Sequence, residues 1–330
     1  MNWSNFFTLG GFTVTYCMFE MAWEVLEKQY EYEVSTDSLL QKRTQNNLSH
    51  QYKVIYAMMI SSLLFPSVTI VHRYLRQTDG VFTILFFMAL INTLTLWSIL
   101  ILKEKRKAFK TSLFKVHLFR ALFRSIGGIT TVYAIKYVQA DLATTIFMSY
   151  PLWTALLAKF WVKENVQWTI WLSCFLGFLG VIIVSYSKNS ILNIWCLLIL
   201  ISALTTALIS VVMTKYSKFD DSLWKWSAYN EIGILLPTFF LWIIFDNYEL
   251  PLGRFNFYLV FPFILVPAIF AISYAFLKGK SSLIAPLGYL QIPASALLGI
   301  LFLNEFPELN TFIGGILIIS AGFISIKYSK

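Results

Sequence analysis

Two stretches of the chain look like copies of one segment. Residues 133–164 read YAIKYVQADLATTIFMSYPLWTALLAKFWVKE, and residues 274–305 read YAFLKGKSSLIAPLGYLQIPASALLGILFLNE. Each has a Tyr-Ala helix end, a short loop, an apolar helix with a central proline and a closing glutamate. If an odd number of membrane crossings separates the copies, they are inverted relative to each other. Inverted repeats of this kind are the plan of secondary transporters.

The composition indicates a chain that lies in lipid. Of 330 residues, 58% are apolar and 13% are charged, whereas soluble domains carry about twice that charged fraction. The mean hydropathy is +0.67. The lysines behind the net charge of +9 flank apolar runs. Because basic residues concentrate in cytoplasmic loops, membrane topology explains this charge, and we expect no nucleic-acid partner.

Ten apolar stretches reach the roughly 20 residues that a helix needs to cross a bilayer. They are residues 54–74, 81–102, 116–137, 141–162, 167–186, 191–214, 223–245, 256–276, 282–303 and 309–327. The connections between them are short. We therefore predict an all-α membrane protein, with ten transmembrane helices packed in one bundle as two inverted five-helix repeats.

Basic residues predict the orientation of the bundle. With the N-terminus inside, fourteen lysines and arginines fall in the inner connections and the C-terminus. The outer connections hold only Arg73, Arg76, Lys136, Lys188 and Arg254. This bias places both termini in the cytoplasm and the chain in the cell (inner) membrane. Residues 54–188 would form the first repeat and residues 189–330 the second.

The N-terminal extension, residues 1–53, does not match the repeat. Aromatic residues near its start are followed by five glutamates between positions 20 and 33. We predict an interfacial helix and a polar linker across residues 35–53, without a role in transport. A partly inserted extra helix is the alternative. No basic segment precedes a clean apolar run, so we expect no signal peptide.

Residue spacing offers no enzyme chemistry. The three cysteines form no CxxC motif, and the three histidines show no metal-binding spacing. No glycine-rich nucleotide motif or serine nucleophile motif is present. We therefore expect no catalytic activity, cofactor or metal.

Ionisable residues inside the predicted crossings are the first candidates for a binding site, because burying them in a bilayer is costly. Arg120 and Arg124 are four residues apart on one face of the third crossing. Glu231 lies about two turns into the seventh, at a depth that would permit contact with Arg124. Glu231 would bind a cationic amine or sulfonium while an arginine holds a carboxylate. The alternative is an internal ion pair or, favoured for Arg120, a side chain that reaches the headgroups.

Tyrosines and polar residues of the repeats form the second set of candidates. A tyrosine ring can stack on a base or attract a cation, although packing is the alternative for each one. These candidates are Tyr133, Tyr150, Tyr274, Tyr289, Gln291, Asn92, Trp97 and Asn230. Pro151 and Pro293 are expected to interrupt helical bonding and expose carbonyls. Glu164 and Glu305 are predicted to be structural ends or gate elements.

Four stretches carry a family resemblance. They are ATTIFMSYPLWTALLAKFWVKE (143–164), LGFLGVIIVSYSK (176–188), SSLIAPLGYLQIPASALLGILFLNE (281–305) and FIGGILIISAGFISIKYSK (312–330). Together they resemble the drug/metabolite transporter superfamily, in particular its EamA-like members with ten helices. The resemblance covers roughly residues 54–330.

Shorter motifs resemble one subgroup of that superfamily. AIKYV (134–138), SLIAPLGYL (282–290) and NEFP (304–307) are similar to S-adenosylmethionine uptake transporters of intracellular bacteria. The resemblance implies uptake or exchange of S-adenosylmethionine by alternating access, driven by a gradient or exchange. An amino-acid or drug exporter of the same fold is the nearest alternative. A non-transporting membrane scaffold is the alternative from another class, and the short loops disfavour it. The implied partners are a small-molecule substrate and the bilayer, and a homodimer is left open.

Overall fold

Helices make up nearly all of the part of the chain that the computed structural model describes. That part comprises residues 41–134, 137–138, 140–184, 194–219, 221–246, 250–251, 255–303 and 309–327. No β-strand occurs within these ranges. The prediction of an all-α chain is therefore confirmed.

Thirteen α-helices occur in the described ranges. They are α1 (Gln41–Leu75), α2 (Val81–Glu104), α3 (Phe114–Ala134), α4 (Ala140–Phe147), α5 (Tyr150–Leu157), α6 (Trp168–Val184), α7 (Cys196–Lys215), α8 (Leu223–Phe245), α9 (Phe255–Tyr258), α10 (Phe261–Lys278), α11 (Ser281–Ile284), α12 (Gln291–Leu303) and α13 (Leu309–Lys327). A π-helical turn, Ala158–Val162, extends α5, and a 3₁₀ stretch, Ala285–Leu290, joins α11 to α12. Helical structure overlies each of the ten predicted crossings.

Six helical segments are long and apolar enough to cross a membrane. They are Gln51–His72, Val81–Phe109, Cys196–Lys215, Leu223–Phe245, Phe255–Lys278 and Ser281–Phe302. Trp168–Val184 and Phe312–Lys327 are shorter apolar helices. The third predicted crossing carries Arg120 and Arg124, and the fourth is interrupted between α4 and α5. The multi-pass character is thus established, while the count of ten crossings stays a prediction.

The first described helix is longer than predicted. α1 begins at Gln41, so helix replaces the later part of the linker that we predicted over residues 35–53. Residues 41–53 contain no glycine or proline and include several good helix formers, so they extend the apolar segment without a break. Residues 1–40, with the predicted interfacial helix, lie outside the described residues.

Proline marks the interruptions in the two repeat copies. Pro151 lies in the first turn of α5, where its ring would clash with a continuing helix before it. In the second copy Pro286 opens the 3₁₀ stretch. Pro293 lies instead in the first turn of α12, where the missing N–H costs little. Of the two predicted prolines, only Pro151 therefore lies at an interruption.

The helices pack in a regular set of pairs. α1 lies along α10 and α12, and α7 lies along α3 and α5. α2 contacts α8 and α10, α8 also contacts α3, and α6 lies along α13. Where α6 crosses α13, a Cβ added to Gly180 would lie 2.7 Å from the carbonyl oxygen of Gly314. Glycine at both positions lets the two backbones touch, as is typical of helix pairs in lipid.

Candidate functional site

The carboxylate of Glu231 lies inside the bundle between α8 and α2. Asn92 Nδ2 donates a hydrogen bond to Glu231 Oε2 at 3.0 Å. Asn230 Nδ2 donates to Glu231 Oε1 at 3.5 Å. Glu231 is 4% exposed and Asn92 is fully buried. Two amide groups therefore hold an acid within the part of the bundle where a charge is most costly.

A direct contact between Glu231 and Arg124 does not form. Among the described residues, no basic side chain lies within ion-pair distance of Glu231. α3 and α8 do approach closely here, since Ser125 Oγ donates to the carbonyl oxygen of Gly233 at 2.5 Å. The helices are thus adjacent, but Arg124 does not neutralise Glu231 by contact.

Arg120 connects three helices inside the bundle. Its Nη1 donates to the carbonyl oxygen of Trp226 at 2.9 Å, and its Nη2 lies 3.3 Å from Met213 Sδ. The guanidinium lies 4.8 Å from the centre of the Trp226 ring. Arg120 is 1% exposed, and it interacts electrostatically with Glu231 and Arg124. It therefore does not reach toward headgroups, and both of its terminal nitrogens have partners within the protein.

Several buried polar atoms have no hydrogen-bond partner, and two of them belong to the amides that contact Glu231. Among the described residues, these atoms are Asn92 Oδ1, Trp97 Nε1, Arg120 Nε, Arg124 Nε, Asn230 Oδ1, Ser61 Oγ, Thr93 Oγ1 and His117 Nδ1. The first five belong to residues that the sequence predicted as substrate contacts. An unpaired buried polar atom costs about 1–3 kcal/mol. Unpaired buried atoms of this kind are typical of a site whose bonding a polar ligand completes.

Trp97 belongs to a row of aromatic side chains beside this site. Its ring centre lies 5.0 Å from that of Tyr229 and 5.7 Å from that of Phe109. The His117 ring stacks on Tyr229 at 4.8 Å and meets Trp226 edge-on at 5.0 Å. The sequence reasoning missed Tyr229 and His117. Tyr229 lies two residues before Glu231, and His117 lies three before Arg120 on the same face of α3.

Tyr133 lies apart from the Glu231 site. It is nine residues beyond Arg124 on α3, which is about 13 Å along a helix. Its ring centre lies 5.7 Å from that of Tyr137 and 5.8 Å from that of Trp195. The three rings form an aromatic group near the end of α3 and the start of α7, as is common where a helix leaves the bilayer.

Tyr150 and Tyr289 are packed between α5, α6 and the 3₁₀ stretch. Tyr289 is fully buried, and its hydroxyl donates to the carbonyl oxygen of Cys174 at 3.2 Å. The Tyr150 hydroxyl lies against Gly288, so that a Cβ there would overlap it. Both rings join one apolar cluster with Val181. Tyr274 and Gln291 are half-buried on α10 and α12. The structure therefore does not bring these four predicted residues together around Glu231.

One end of the α2–α8 pair is tied by charged side chains. Lys225 Nζ lies 3.1 Å from Glu104 Oε2 and 3.6 Å from Asp221 Oδ1. Ser222 Oγ donates to Glu104, and His117 Nε2 lies 3.0 Å from Asp221 Oδ2. We call these five residues the charged cluster. It joins the end of α2 and the start of α3 to the start of α8.

The opposite end of the same pair is tied by Asp246. Its Oδ2 accepts from the backbone N–H of Thr83 at 2.7 Å and from Thr83 Oγ1 at 3.0 Å. An acid at the end of α8 thus satisfies a free donor at the start of α2. At the other end of the pair, Glu104 is the last residue of α2. It accepts a hydrogen bond from Ser222, which precedes α8. Each helix of the pair therefore ends at an acid that binds the start of its partner.

Glu164 makes the same kind of contact between the two repeat copies. Its carboxylate accepts from the backbone N–H groups of Ser281 and Ser282, at 3.1 Å each, and from both hydroxyls. It therefore caps α11 from the segment that follows α5. The expected role of Glu164 as a structural end or gate element stays a prediction. Glu305, its counterpart in the second copy, lies outside the described residues.

A cavity of about 410 Å³ lies away from these charged groups. Its lining is almost entirely apolar and comes from α4, α5, α6 and α7: Ile146, Ser149, Leu152, Trp153, Leu156, Trp171, Phe178 and Leu200. It contains none of the ionisable residues that the sequence singled out. We therefore place the candidate site at Glu231 and not in this cavity.

Comparisons with known proteins show which transporters and which fold this chain resembles. The model of the EamA-like transporter family matches residues 52–186. A solved crystal structure shares the fold at a TM-score of 0.70 and 14% identity, covering 82% of this chain and 95% of that chain. At this identity the likeness extends to the fold alone.

Curated relatives match over most of their length. An S-adenosylmethionine uptake transporter of Rickettsia prowazekii is 27% identical over 277 residues, which cover 82% of this chain and 91% of that protein. One of Rickettsia bellii is 26% identical, with 86% and 97% covered. A riboflavin transporter of Vibrio cholerae is 24% identical, with 67% and 74% covered. The chain thus resembles drug/metabolite transporters of the EamA-like kind, and these relatives are named as transporters and not as enzymes. It resembles the S-adenosylmethionine uptake transporters.

Proposed function

We propose that the chain is a secondary active transporter that takes up or exchanges S-adenosylmethionine across the cell (inner) membrane. Its mechanism is alternating access between residues 54–188 and residues 189–330, which move as two inverted five-helix repeats. Both termini lie in the cytoplasm. The observation that carries the proposal is the buried Glu231, held by two amides whose oxygens have no hydrogen-bond partner.

The helix pairing supports the inverted repeat. Exchanging each of the five crossings of the first half for its counterpart turns the α1–α10 pair into α7–α3, and the α1–α12 pair into α7–α5. The same exchange turns α3–α8 into α10–α2 and leaves α2–α8 and α6–α13 unchanged. A bundle made of two related halves around a two-fold axis has this pairing.

The ties at the two ends of the α2–α8 pair support alternating access. The charged cluster closes one end, and Asp246 with Thr83 closes the other. By the predicted orientation, the charged cluster faces the cytoplasm. Glu231 lies between the two ties. A transporter that opens to one side at a time needs a breakable contact on each side of the substrate.

The proposed substrate rests on charge and on the relatives. S-adenosylmethionine combines a sulfonium and an ammonium with a carboxylate, and the predicted substrate-binding residues include the acid Glu231 and the base Arg124. Trp97 and Tyr229 supply flat faces on which an adenine could stack. The relatives with this substrate in their names match most of the chain. A flat, polar flavin is the second candidate, which the riboflavin transporter among the relatives favours.

Uptake by cells that express the full chain tests the proposal. We expect labelled S-adenosylmethionine to accumulate and unlabelled S-adenosylmethionine to suppress it more strongly than amino acids, nucleosides or riboflavin do. Strong competition by riboflavin alone would point to the second candidate, and competition by amino acids to an amino-acid carrier. Purified protein in vesicles that moves none of these compounds would contradict the transport proposal.

A further inference from the structure

The orientation of two side-chain amides around Glu231 carries an inference about the substrate. A carboxylate only accepts hydrogen bonds, so an amide beside it must present its NH₂ group. Asn92 and Asn230 both do so, one to each carboxylate oxygen. Their oxygens, Asn92 Oδ1 and Asn230 Oδ1, are buried and have no hydrogen-bond partner. Turning either amide over would place oxygen against oxygen, so these free acceptors follow from the carboxylate itself.

Glu231 and the two amides form a set of acceptors with one negative charge. A primary ammonium group carries three N–H donors and one positive charge, which matches this set in number and sign. We propose that Glu231, Asn92 and Asn230 form a subsite for a primary ammonium group of the substrate. The inference rests on the proposed function and specifies which cationic group of the substrate Glu231 binds.

A sulfonium or a quaternary ammonium fits this set less well. Neither has an N–H donor, so both amide oxygens would stay buried without a partner. Leaving a buried acceptor unpaired weakens binding. For a substrate that carries both a sulfonium and an ammonium, the geometry therefore places the ammonium at Glu231.

A metal cation also fits less well. Alkali cations in transporters are held largely by carbonyl oxygens of unwound helices. Here α2 runs without interruption from Val81 to Glu104 and α8 from Leu223 to Phe245. The backbone carbonyls beside Asn92 are therefore committed to helical hydrogen bonds. Pro237 leaves the Gly233 carbonyl near Glu231 without a helical donor, and this oxygen accepts from Ser125 Oγ instead. An ammonium needs only the three side chains that are present.

A pair of probes that differ only at the ammonium group tests the subsite. L-methionine carries a primary ammonium, and N-acetyl-L-methionine replaces it with an uncharged amide. The thermal stability of the purified full chain in detergent reports the binding of each one, without any need for transport. We expect L-methionine to bind about tenfold or more tightly, because sites built around hydrogen bonds strongly reject ligands that lack them.

Variants assign this preference to the two amides. Asn92→Leu and Asn230→Leu keep the approximate volume and remove the acceptors, so we expect the preference for L-methionine to shrink to about threefold or less. Thr93→Val is the matched control. Thr93 follows Asn92, and its hydroxyl also lacks a hydrogen-bond partner, so it makes no hydrogen bond to Glu231. It should keep the full preference. If the leucine variants do not fold, the comparison of the two probes on the unaltered chain still tests the ammonium subsite.

The outcomes separate this inference from the proposed function. Equal binding of the two probes, or binding of neither, overturns the ammonium subsite even if S-adenosylmethionine is taken up. Stabilisation by sodium chloride but not by choline chloride, lost in Asn92→Leu, also overturns it, because a metal cation then occupies the acceptors. A preference for L-methionine without any uptake of S-adenosylmethionine leaves the subsite standing and contradicts the proposed substrate.

Discussion

The sequence alone predicted a functional role for Glu231, but it did not predict which side chains Glu231 contacts. An acid inside an apolar segment predicts function, because glutamate is too short to reach the headgroups from two turns within the bilayer. Its partners could not be foreseen. Asn92 is 139 residues away in the sequence, and nothing in the local pattern distinguishes it from any other asparagine. The depth of the two residues permitted a contact with Arg124, but among the described residues it is Arg120 that bonds the backbone of α8.

Removing the charge of Glu231 should abolish transport without unfolding the chain. In Glu231→Gln the amides of Asn92 and Asn230 can still hydrogen-bond, but the negative charge that binds a cation is lost. We expect uptake to fall at least about tenfold, equivalent to about 1.4 kcal/mol of binding, with normal membrane expression. The exposed Lys107→Gln is the control for loss of a charge. Unchanged uptake of every tested compound in Glu231→Gln would remove Glu231 from the site.

The two arginines of α3 should differ in effect. Arg120 donates to Trp226 and contacts Met213, so Arg120→Met should destabilise the fold by about 1.5–3 kcal/mol, the range for hydrogen bonds to charged groups. Arg124→Gln should lower uptake and leave stability nearly unchanged, because Arg124 Nε has no partner to lose. Thermal unfolding in detergent and uptake, measured on both variants, check this contrast. Equal losses of stability would contradict the separate roles.

At the scale of the helices, apolar length predicted the positions of the helices well. The charged contacts between helix ends were not predicted. The bounds of α2, α8 and α13 lie within two residues of the predicted stretches, because hydrophobic length and end charges mark them. The break between α4 and α5 follows from Pro151. The ties between helix ends did not follow, since Glu104, Asp221 and Asp246 appear in the sequence as ordinary loop charges. Only the packing of α2 against α8 makes them caps and ion pairs.

The charged cluster gives a prediction about pH. Lys225 is the one lysine that contacts both Glu104 and Asp221 among the described residues. In Lys225→Met, two nearby acids lose their cation, and burial makes the uncompensated negative charges costly. Protonation removes that cost. We therefore expect the loss of stability caused by Lys225→Met to be smaller at pH 5 than at pH 8, by thermal unfolding of the variant and the unaltered chain. The reverse order would show that Lys225 does not compensate these acids.

At the scale of the whole molecule, the pairing of helices carries the argument for two related halves. The weak identity between residues 133–164 and 274–305 suggested a duplication. The contacts of α1 with α10 and α12, matched by those of α7 with α3 and α5, support it far more strongly. Pairings between distant helices depend on the packing of many small residues at once. They therefore persist when the aligned residues themselves have diverged.

Orientation in the membrane can be tested with single cysteines. In a variant without Cys17, Cys174 and Cys196, a cysteine at Gln77 should react with an impermeant thiol reagent added outside intact cells. A cysteine at Lys107 should react only after the cells are permeabilised. Both positions are exposed in connections between helices, and the excess of basic residues near Lys107 places it inside. The opposite labelling pattern would invert the proposed topology.

The sequence by itself determined the helical class, the multi-pass character, the membrane setting and the short set of ionisable candidates. These depend on hydrophobic length, on proline and on charge, all of which are local properties. The tertiary structure decided which candidates meet. It brought Glu231, Asn92 and Asn230 into contact, used Arg120 within the protein, and separated Tyr133, Tyr150 and Tyr289 from them. The physical reason is that a helix determines which residues share its face, while only the packing of the neighbouring helices determines what that face touches.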